Sequence, residues 1–425
     1  MYFEYIHSEI IDDRIDAQFF TPEYIKSLKK INQFRIETLG NISRRIFDPP
    51  HTAPEFVDKS DFEMIMIENI TLNGIEGNFR AISETCHKDI FKNSHLEGNE
   101  LLVSRVGNSS GTFASVFPCY KGKNVSGNIS IIKLKDEIID KEYAFAYFNS
   151  NIGQNSIKRN IANTARKFLT ISKIREFQVP IPSPEIQKYI GDKVRKAEVL
   201  REEAKRLKKE AEEIFNQNYE VISKNNSKFE WVSSYYLNED NVIPNFYKQY
   251  QLLRDKKYVY IEFENIVESI KCGIPVRSDM RIGDIYPFYG ASGVTDNIGN
   301  YNFDGEYLIV AQDGSIGSVN VARNKFWANN HVWVVKVKNG WDLEFLELYL
   351  NQYNYWISLT TGSVVPKVTS ENLKKLLVPK INYEIQKSIG DKIREAKHKE
   401  QRSKALIEQA KQDVEDLIED NFSMK

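Results

Sequence analysis

The chain has 425 residues, 41% of them hydrophobic and 28% charged, with 58 Lys and Arg against 59 Asp and Glu. That length provides for two or more domains with sizeable cores, and no apolar run approaches the roughly 18 residues of a membrane span. A net charge of −1 lacks the basic excess that is the usual footprint of a nucleic-acid binder; charge segregated within a fold keeps that class open.

The N-terminal stretch MYFEYIHSEIIDDRID carries acids early and no basic n-region, so it is not read as a signal peptide. Asp48-Pro49-Pro50-His51 is close to the D/N-P-P-aromatic tetrapeptide with which adenine methyltransferases grip a flipped base. His replaces the aromatic, and no Gly-rich loop after a strand is present to hold S-adenosylmethionine, so a rigid proline loop is expected. Cys86, Cys119 and Cys272 are odd in number and scattered. They form neither a disulfide framework nor a zinc pattern, even with His87 and His95 near Cys86, and read as ordinary cytosolic residues.

Next, NELLVSRVGNSSGTFASVF (Asn99–Phe117) reads as strand, Gly turn, strand. NVSGNISIIKLKDE (Asn124–Glu137) and the helical KEYAFAYFNSNIGQNSI (Lys141–Ile157) follow. Pro184 suits a first helical turn. Beyond it, Ala197, Leu200, Ala204, Leu207, Ala211 and Ile214 recur at heptad spacing. They predict a charged helix over 185–222 with one apolar seam.

The same order then returns. EYLIVAQDGSIGSVNVA (Glu306–Ala322) is strand, Gly turn, strand. Its Gly314-Ser315-Ile316-Gly317 lacks the Lys and the following helix of a Walker loop, and predicts a tight hairpin. FWANNHVWVVKVKNG alternates, with His331 read as a structural residue, and DLEFLELYLNQYNYWI is helical. A second long helix over 384–425 has the seam Ser403, Ile407, Ala410, Val414 and Leu417. The nonapeptides EIQKYIGDK (from Glu185) and EIQKSIGDK (from Glu384), offset by 384 − 185 = 199, match at eight of nine positions. At that offset Val179-Pro180 falls on Val378-Pro379 and Thr170 on Thr369. The chain is therefore a tandem of two halves. The expected fold is α+β: two mixed α/β domains, over 1–184 and 223–383, with the two long helices as an antiparallel pair. A seam this long cannot stay uncovered on one helix. A coiled coil between two chains is the competing partner.

The search for chemistry returns nothing firm. Glu202-Glu203 and Glu212-Glu213 are solvated helix charge, and no hydrolase, kinase or metalloprotease pattern occurs.

The tandem layout, the junctions VPIPSPEIQKYIGDK and VPKINYEIQKSIGDK, and the run YPFYGASGVTDNIGNYNFDGEYLIVAQDGSIGSV…FWANNHVWVV…TGSVVPKVTSENLKKLLVP resemble the specificity subunit of type I restriction–modification systems. The resemblance covers essentially the whole chain. It implies a non-catalytic subunit in which each domain is a target recognition domain reading half of a split DNA site. The helices would fix the unread gap and dock two methyltransferase subunits, to which a motor–nuclease subunit is added. S-adenosylmethionine would sit on the methyltransferases; no cofactor or metal is expected here, and the location is cytoplasmic. By residue type, the expected DNA contacts are Arg44, Arg45, Arg105, Asn108, Arg166 and Lys167 in the first domain. In the second they are Arg277, Ser292, Gln312, Ser315 and Lys367. The two seams are expected to serve helix pairing and partner docking. The alternatives are a stand-alone or fused methyltransferase or nuclease, and a helical scaffold with no DNA role.

Overall fold

The computed structural model describes residues 21–161, 168–219, 259–277, 283–353, 356–362 and 365–424. The chain divides into two compact units: residues 1–202 with 399–425, and residues 203–398.

In the first unit a four-stranded antiparallel sheet is built from β1 (Ser43–Phe47), β2 (Leu101–Ser104), β3 (Phe113–Ser115) and β4 (Ile129–Leu134) in the order β1-β4-β2-β3. All four residues of LLVS in β2 are buried, as in a strand covered on both faces. Helix α1 (Lys141–Asn149) follows; its N-cap Asp140 accepts from the amides of Glu142 and Tyr143, both at 3.0 Å. Asn149, at the far end of α1, closes a two-point hydrogen bond on Phe113 of β3, accepting from its amide (3.0 Å) and donating to its carbonyl (2.8 Å). Ile36–Thr38 pairs antiparallel with Gln178–Pro180, so the Val179-Pro180 junction is a closing ribbon. Tyr147 fastens α1 to that ribbon by donating to the Gln178 carbonyl (3.0 Å). The long helix α2 (Pro184–Asn218) starts four residues later.

The second unit repeats this bond for bond. Strands β5 (Val267–Cys272), β6 (Tyr307–Ala311), β7 (Val319–Ala322) and β8 (Val332–Val337) form an antiparallel sheet in the order β5-β8-β6-β7, the same permutation as in the first. Helix α3 (Leu343–Gln352) is capped by Asp342. Asn351 makes the two-point bond to Val319 (3.0 and 2.8 Å). Tyr349 donates to Leu377 of the ribbon Leu377–Pro379, which pairs with Tyr260–Glu262 (2.7 Å). The second long helix is α4 (Tyr383–Ile418).

The repeated nonapeptide has a physical cause in this scheme. In the first unit, the Gln187 side chain accepts from the Asp140 amide (2.8 Å) and donates to the Pro182 carbonyl (2.9 Å). Arg195 bridges Asp140 (2.9 Å) and Glu142 (2.7 Å). A Cβ at Gly191 would collide with the Asp140 carboxylate. In the second unit Gln386 accepts from Asp342 (3.2 Å) and donates to Ile381 (2.8 Å), and Arg394 bridges Asp342 (2.8 Å) and Glu344 (2.5 Å). Gly390 lies against the Asp342 carboxylate with equally little room. The nonapeptide is thus the half of a clamp that locks the start of each long helix onto the cap of the preceding short one.

The paired helices are antiparallel within each unit. In the first, Ile190, Val194 and Ala197 share a core with Ile407, Ala410, Val414 and Leu417. Lys193 pairs with Asp413, and Ser403 donates to the Ala197 carbonyl (2.7 Å), so one helix advances as the other returns. In the second, Ala204 and Leu207 cluster with Ala396, and Lys392 meets Glu210 at 2.6 Å. Ala211 and Phe215 share a core with Ile389 and Ile393. The strict heptad reading needs one adjustment. Leu200 and Ile214 are half-buried, and Phe215 takes the inner place expected of Ile214, because a straight helix of 3.6 residues per turn drifts off a 3.5 repeat. Helix α2 runs over Pro184–Asn218 and α4 over Tyr383–Ile418, and residues 220–222 of the expected first helix lie outside the described residues. Among the described residues no helix is long and apolar enough to cross a membrane.

Candidate nucleic-acid interface

Each sheet presents a Gly turn at one end of its central hairpin. In the first half the turn follows β2 at Arg105. The Arg105 carbonyl accepts from the Leu169 amide (2.9 Å), while its Nε donates to the Leu169 carbonyl (2.9 Å). Its Nη1 lies 2.6 Å from the Asp48 carboxylate, which also accepts from Ser130 Oγ (2.5 Å), and its guanidinium lies over the Phe168 ring (4.6 Å). Arg105 is only 4% exposed, and burial pulls its pKa below the ordinary arginine value against the pull of Asp48. The Asp48-Pro49-Pro50-His51 loop is accordingly a proline-stiffened half of a buried ion pair. His51 lies at its mouth, Nε2 3.5 Å from Arg105 Nη1.

In the second half Gln312 holds the place of Arg105. Its carbonyl accepts from the Val368 amide (2.8 Å) and its amide donates to the His331 carbonyl (2.9 Å). The side-chain amide turns inward to the carbonyls of Asn330 (3.2 Å) and Val332 (3.3 Å). Next to it, Asp313 meets His331 Nδ1 (2.8 Å) and Lys367 Nζ (3.5 Å). The Asp313 side chain is 12% exposed, whereas His331 and Lys367 keep 51% and 55% of theirs in solvent. The turn continues through Gly314 (φ +64°) to Gly317 (φ +92°), where a Cβ would press on the Trp356 indole at 2.9 Å. Gly317 therefore needs both the left-handed backbone and the absent side chain.

Among the described residues, those expected to contact DNA fall into three groups. Asn108 and Ser315 are exposed tips of the two Gly turns, and Lys367 stands beside the second. Arg105 and Gln312 are brought to equivalent positions with their polar ends turned inward. Arg44 and Arg45 are exposed on β1, Arg44 paired with Glu137 (2.8 Å) and Arg45 over the Phe47 ring (4.1 Å); Arg277 and Ser292 are exposed elsewhere on the second half. Arg166 and Lys167 lie outside the described residues. Val106, Phe168 and Asp313, which residue type alone does not single out, complete the two turns. The signal was available in the duplication: at the 199 offset Phe168 falls on Lys367. The Cys86–His95 region is packing: Cys86 is buried, and the His87 ring stacks between Phe62 (4.2 Å) and His95 (4.1 Å).

A family model described as type I restriction modification DNA specificity domain matches residues 29–213 and again 255–412. Over 122 residues the chain is 36% identical to a putative type I restriction enzyme specificity subunit of Haemophilus influenzae, covering 28% of this chain and 31% of that protein. Over 161 residues it is 29% identical to the type I restriction enzyme EcoprrI specificity subunit of Escherichia coli, covering 32% and 38% respectively. The matches thus span about a third of either relative's length. A crystal structure of a type I restriction–modification S subunit from M. genitalium aligns with a TM-score of 0.49 at 14% identity, over 92% of this chain and 96% of that one.

Proposed function

This chain belongs to the type I restriction modification DNA specificity family, and on that premise we propose that it is the non-catalytic sequence-reading subunit of a type I restriction–modification complex. Each globular domain, over 1–184 and 223–383, reads one half of a bipartite double-stranded site. The helices, over 185–222 and 384–425, set the unread gap and dock two methyltransferase subunits, which supply S-adenosylmethionine; a motor–nuclease subunit joins them in the cytoplasm. Arg44, Arg45, Asn108, Arg166, Lys167, Arg277, Ser292, Ser315 and Lys367 serve as DNA contacts, with Arg105 and Gln312 beneath them.

The observation that carries this reading is the duplicated clamp. Gln187, Gly191 and Arg195 in one unit, and Gln386, Gly390 and Arg394 in the other, tie each long helix to its own globular portion by the same bonds. A reader of two half-sites needs that rigidity. Half-sites one turn of B-DNA apart are separated by about 34–36 Å, and a helix of 35 residues is about 52 Å long, whereas a flexible linker holds no register. Coexpression with the cognate methyltransferase and mapping of methylated adenines tests the reading. A two-part motif with a fixed gap is expected. Methylation at a continuous motif, or at none, defeats it, as does methyl transfer by the purified chain alone.

A further inference from the structure

We infer that one position beside each Gly turn reads a base, and that the two halves equip it oppositely: Val106 with Phe168 for the methyl group of a thymine, Asp313 with Lys367 for the acceptor edge of a guanine. This rests on the DNA-reading function proposed above and assigns the base chemistry within it.

The equivalence of the positions is a matter of hydrogen bonds. The strand entering from Leu169 bonds back to Arg105, and the one entering from Val368 bonds back to Gln312, at 2.9 and 2.8 Å. The residues immediately before these, Phe168 and Lys367, therefore occupy the same register. The residues immediately after Arg105 and Gln312, Val106 and Asp313, face them: Val106 bridges Phe168 in antiparallel fashion, and Asp313 pairs with Lys367.

The chemistry at this register is opposite in the two halves. Phe168 leaves 40% of its surface in solvent, so an apolar ring edge is open to a partner at this register. One of its faces is taken by the Arg105 guanidinium, which Asp48 and Leu169 hold in place, so the ring is braced from behind. A braced apolar edge at a base-reading turn suits the C5-methyl of thymine, the one apolar group in the major groove. In the second half the Asp313 carboxylate grips His331 tightly and Lys367 loosely, at 3.5 Å. That leaves ammonium donors free to rotate outward to the O6 and N7 acceptors of guanine, while His331 stays anchored beside them.

The test uses the full chain with its methyltransferase partner. Methylated motifs are mapped for the wild type, Phe168→Lys and Lys367→Phe. Because both side chains are exposed, Phe168→Ala and Lys367→Ala serve as milder controls. Phe168→Lys is expected to change only the half-site read by the first domain, releasing a required thymine. Lys367→Phe is expected to change only the other half-site, releasing a required guanine, and Lys367→Ala to lose about tenfold discrimination at that base pair. Uracil in place of that thymine should weaken wild-type binding about fourfold, the factor for one methyl-sized apolar contact, and should leave Phe168→Ala binding unchanged. A wild-type bipartite motif that both swaps leave intact, or indifference to uracil, overturns this inference and leaves the proposed function standing. A wild type with no bipartite motif overturns both.

Discussion

At the foot of its sheet each half uses the same side chains for the same bonds; at the Gly turn the two halves share only backbone. Asp140, Glu142, Asn149, Gln187, Gly191 and Arg195 have their counterparts in Asp342, Glu344, Asn351, Gln386, Gly390 and Arg394. Arg105, Val106 and Phe168 have theirs in Gln312, Asp313 and Lys367, with not one residue type retained. Within the clamp the difference is the second cation on the glutamate, Lys141 beside Glu142 and Arg323 beside Glu344. A chain built this way can exchange what a domain touches without altering how that domain is held.

The two clamps differ in depth, and that difference offers the largest test. Glu344 is fully buried between Arg394 and Arg323 (2.5 Å each), whereas Glu142 keeps 10% of its side chain exposed between Arg195 and Lys141. Removing Arg394 leaves Glu344 with Arg323 alone and takes from Asp342 its bridging cation, and breaking a buried ion pair costs up to about 3–5 kcal/mol. Arg394→Ala is therefore expected to destabilise α3 by an amount in that range, and Arg195→Ala to destabilise α1 by less, read as lost amide hydrogen-exchange protection over 343–352 and 141–149. Equal losses would mean that depth of burial does not set the strength of the clamp. A smaller effect is expected from Gly191→Ala and Gly390→Ala. Each forces a methyl against the aspartate cap, an overpacking worth about 1–3 kcal/mol, and here the halves should respond alike. Thermal unfolding of either variant indistinguishable from wild type would remove the steric reason for the glycine in the nonapeptide.

The division between legible and illegible follows the same line. The duplicated nonapeptide, the Val-Pro ribbons and the strand–turn–strand runs were readable because local pattern and tertiary role coincide there: a seam, an N-cap, a closing strand. The clamp itself was not readable, because it joins Asp140 to Gln187 and Arg195, 47 and 55 residues on, and nothing local marks a charge as destined for burial. At the turns residue type and local bonding diverge for a related reason. Arg105 and Gln312 have the side chains that read guanine and adenine, yet both spend their donors on nearby carbonyls or carboxylates. Phe168 has no donors, and its shared register with Lys367 is seen in the backbone bonds of the fold. The heptad count erred at Ile214 by one residue because drift accumulates along a helix whatever its sequence.

The finest distinction between the halves is electrostatic, and its sign can be worked out. Burial, the largest influence, holds the Asp140 carboxyl above its ordinary range, and it does the same to Asp342. Glu344 differs: burial pushes it up, but Arg323 and then Arg394 pull harder, and its pKa lies below the ordinary 4.5. A group lowered on folding contributes stability that is fully present above its unfolded pKa and lost as pH falls through the folded one. A carboxyl raised on folding does the reverse, so acidification through its folded pKa relieves strain rather than adding it. The second half thus carries an acid-labile contribution from Glu344 that opposes the relief at Asp342, whereas at Asp140 relief alone applies. As pH falls below about 4.5, protection factors corrected for intrinsic exchange should drop over 343–352 before they drop over 141–149. Glu344→Gln should abolish the lag between them, because the amide has no charge to lose. Simultaneous loss in the wild-type chain, or a lag that survives the substitution, would show that the second clamp does not owe its strength to the ionised form of Glu344.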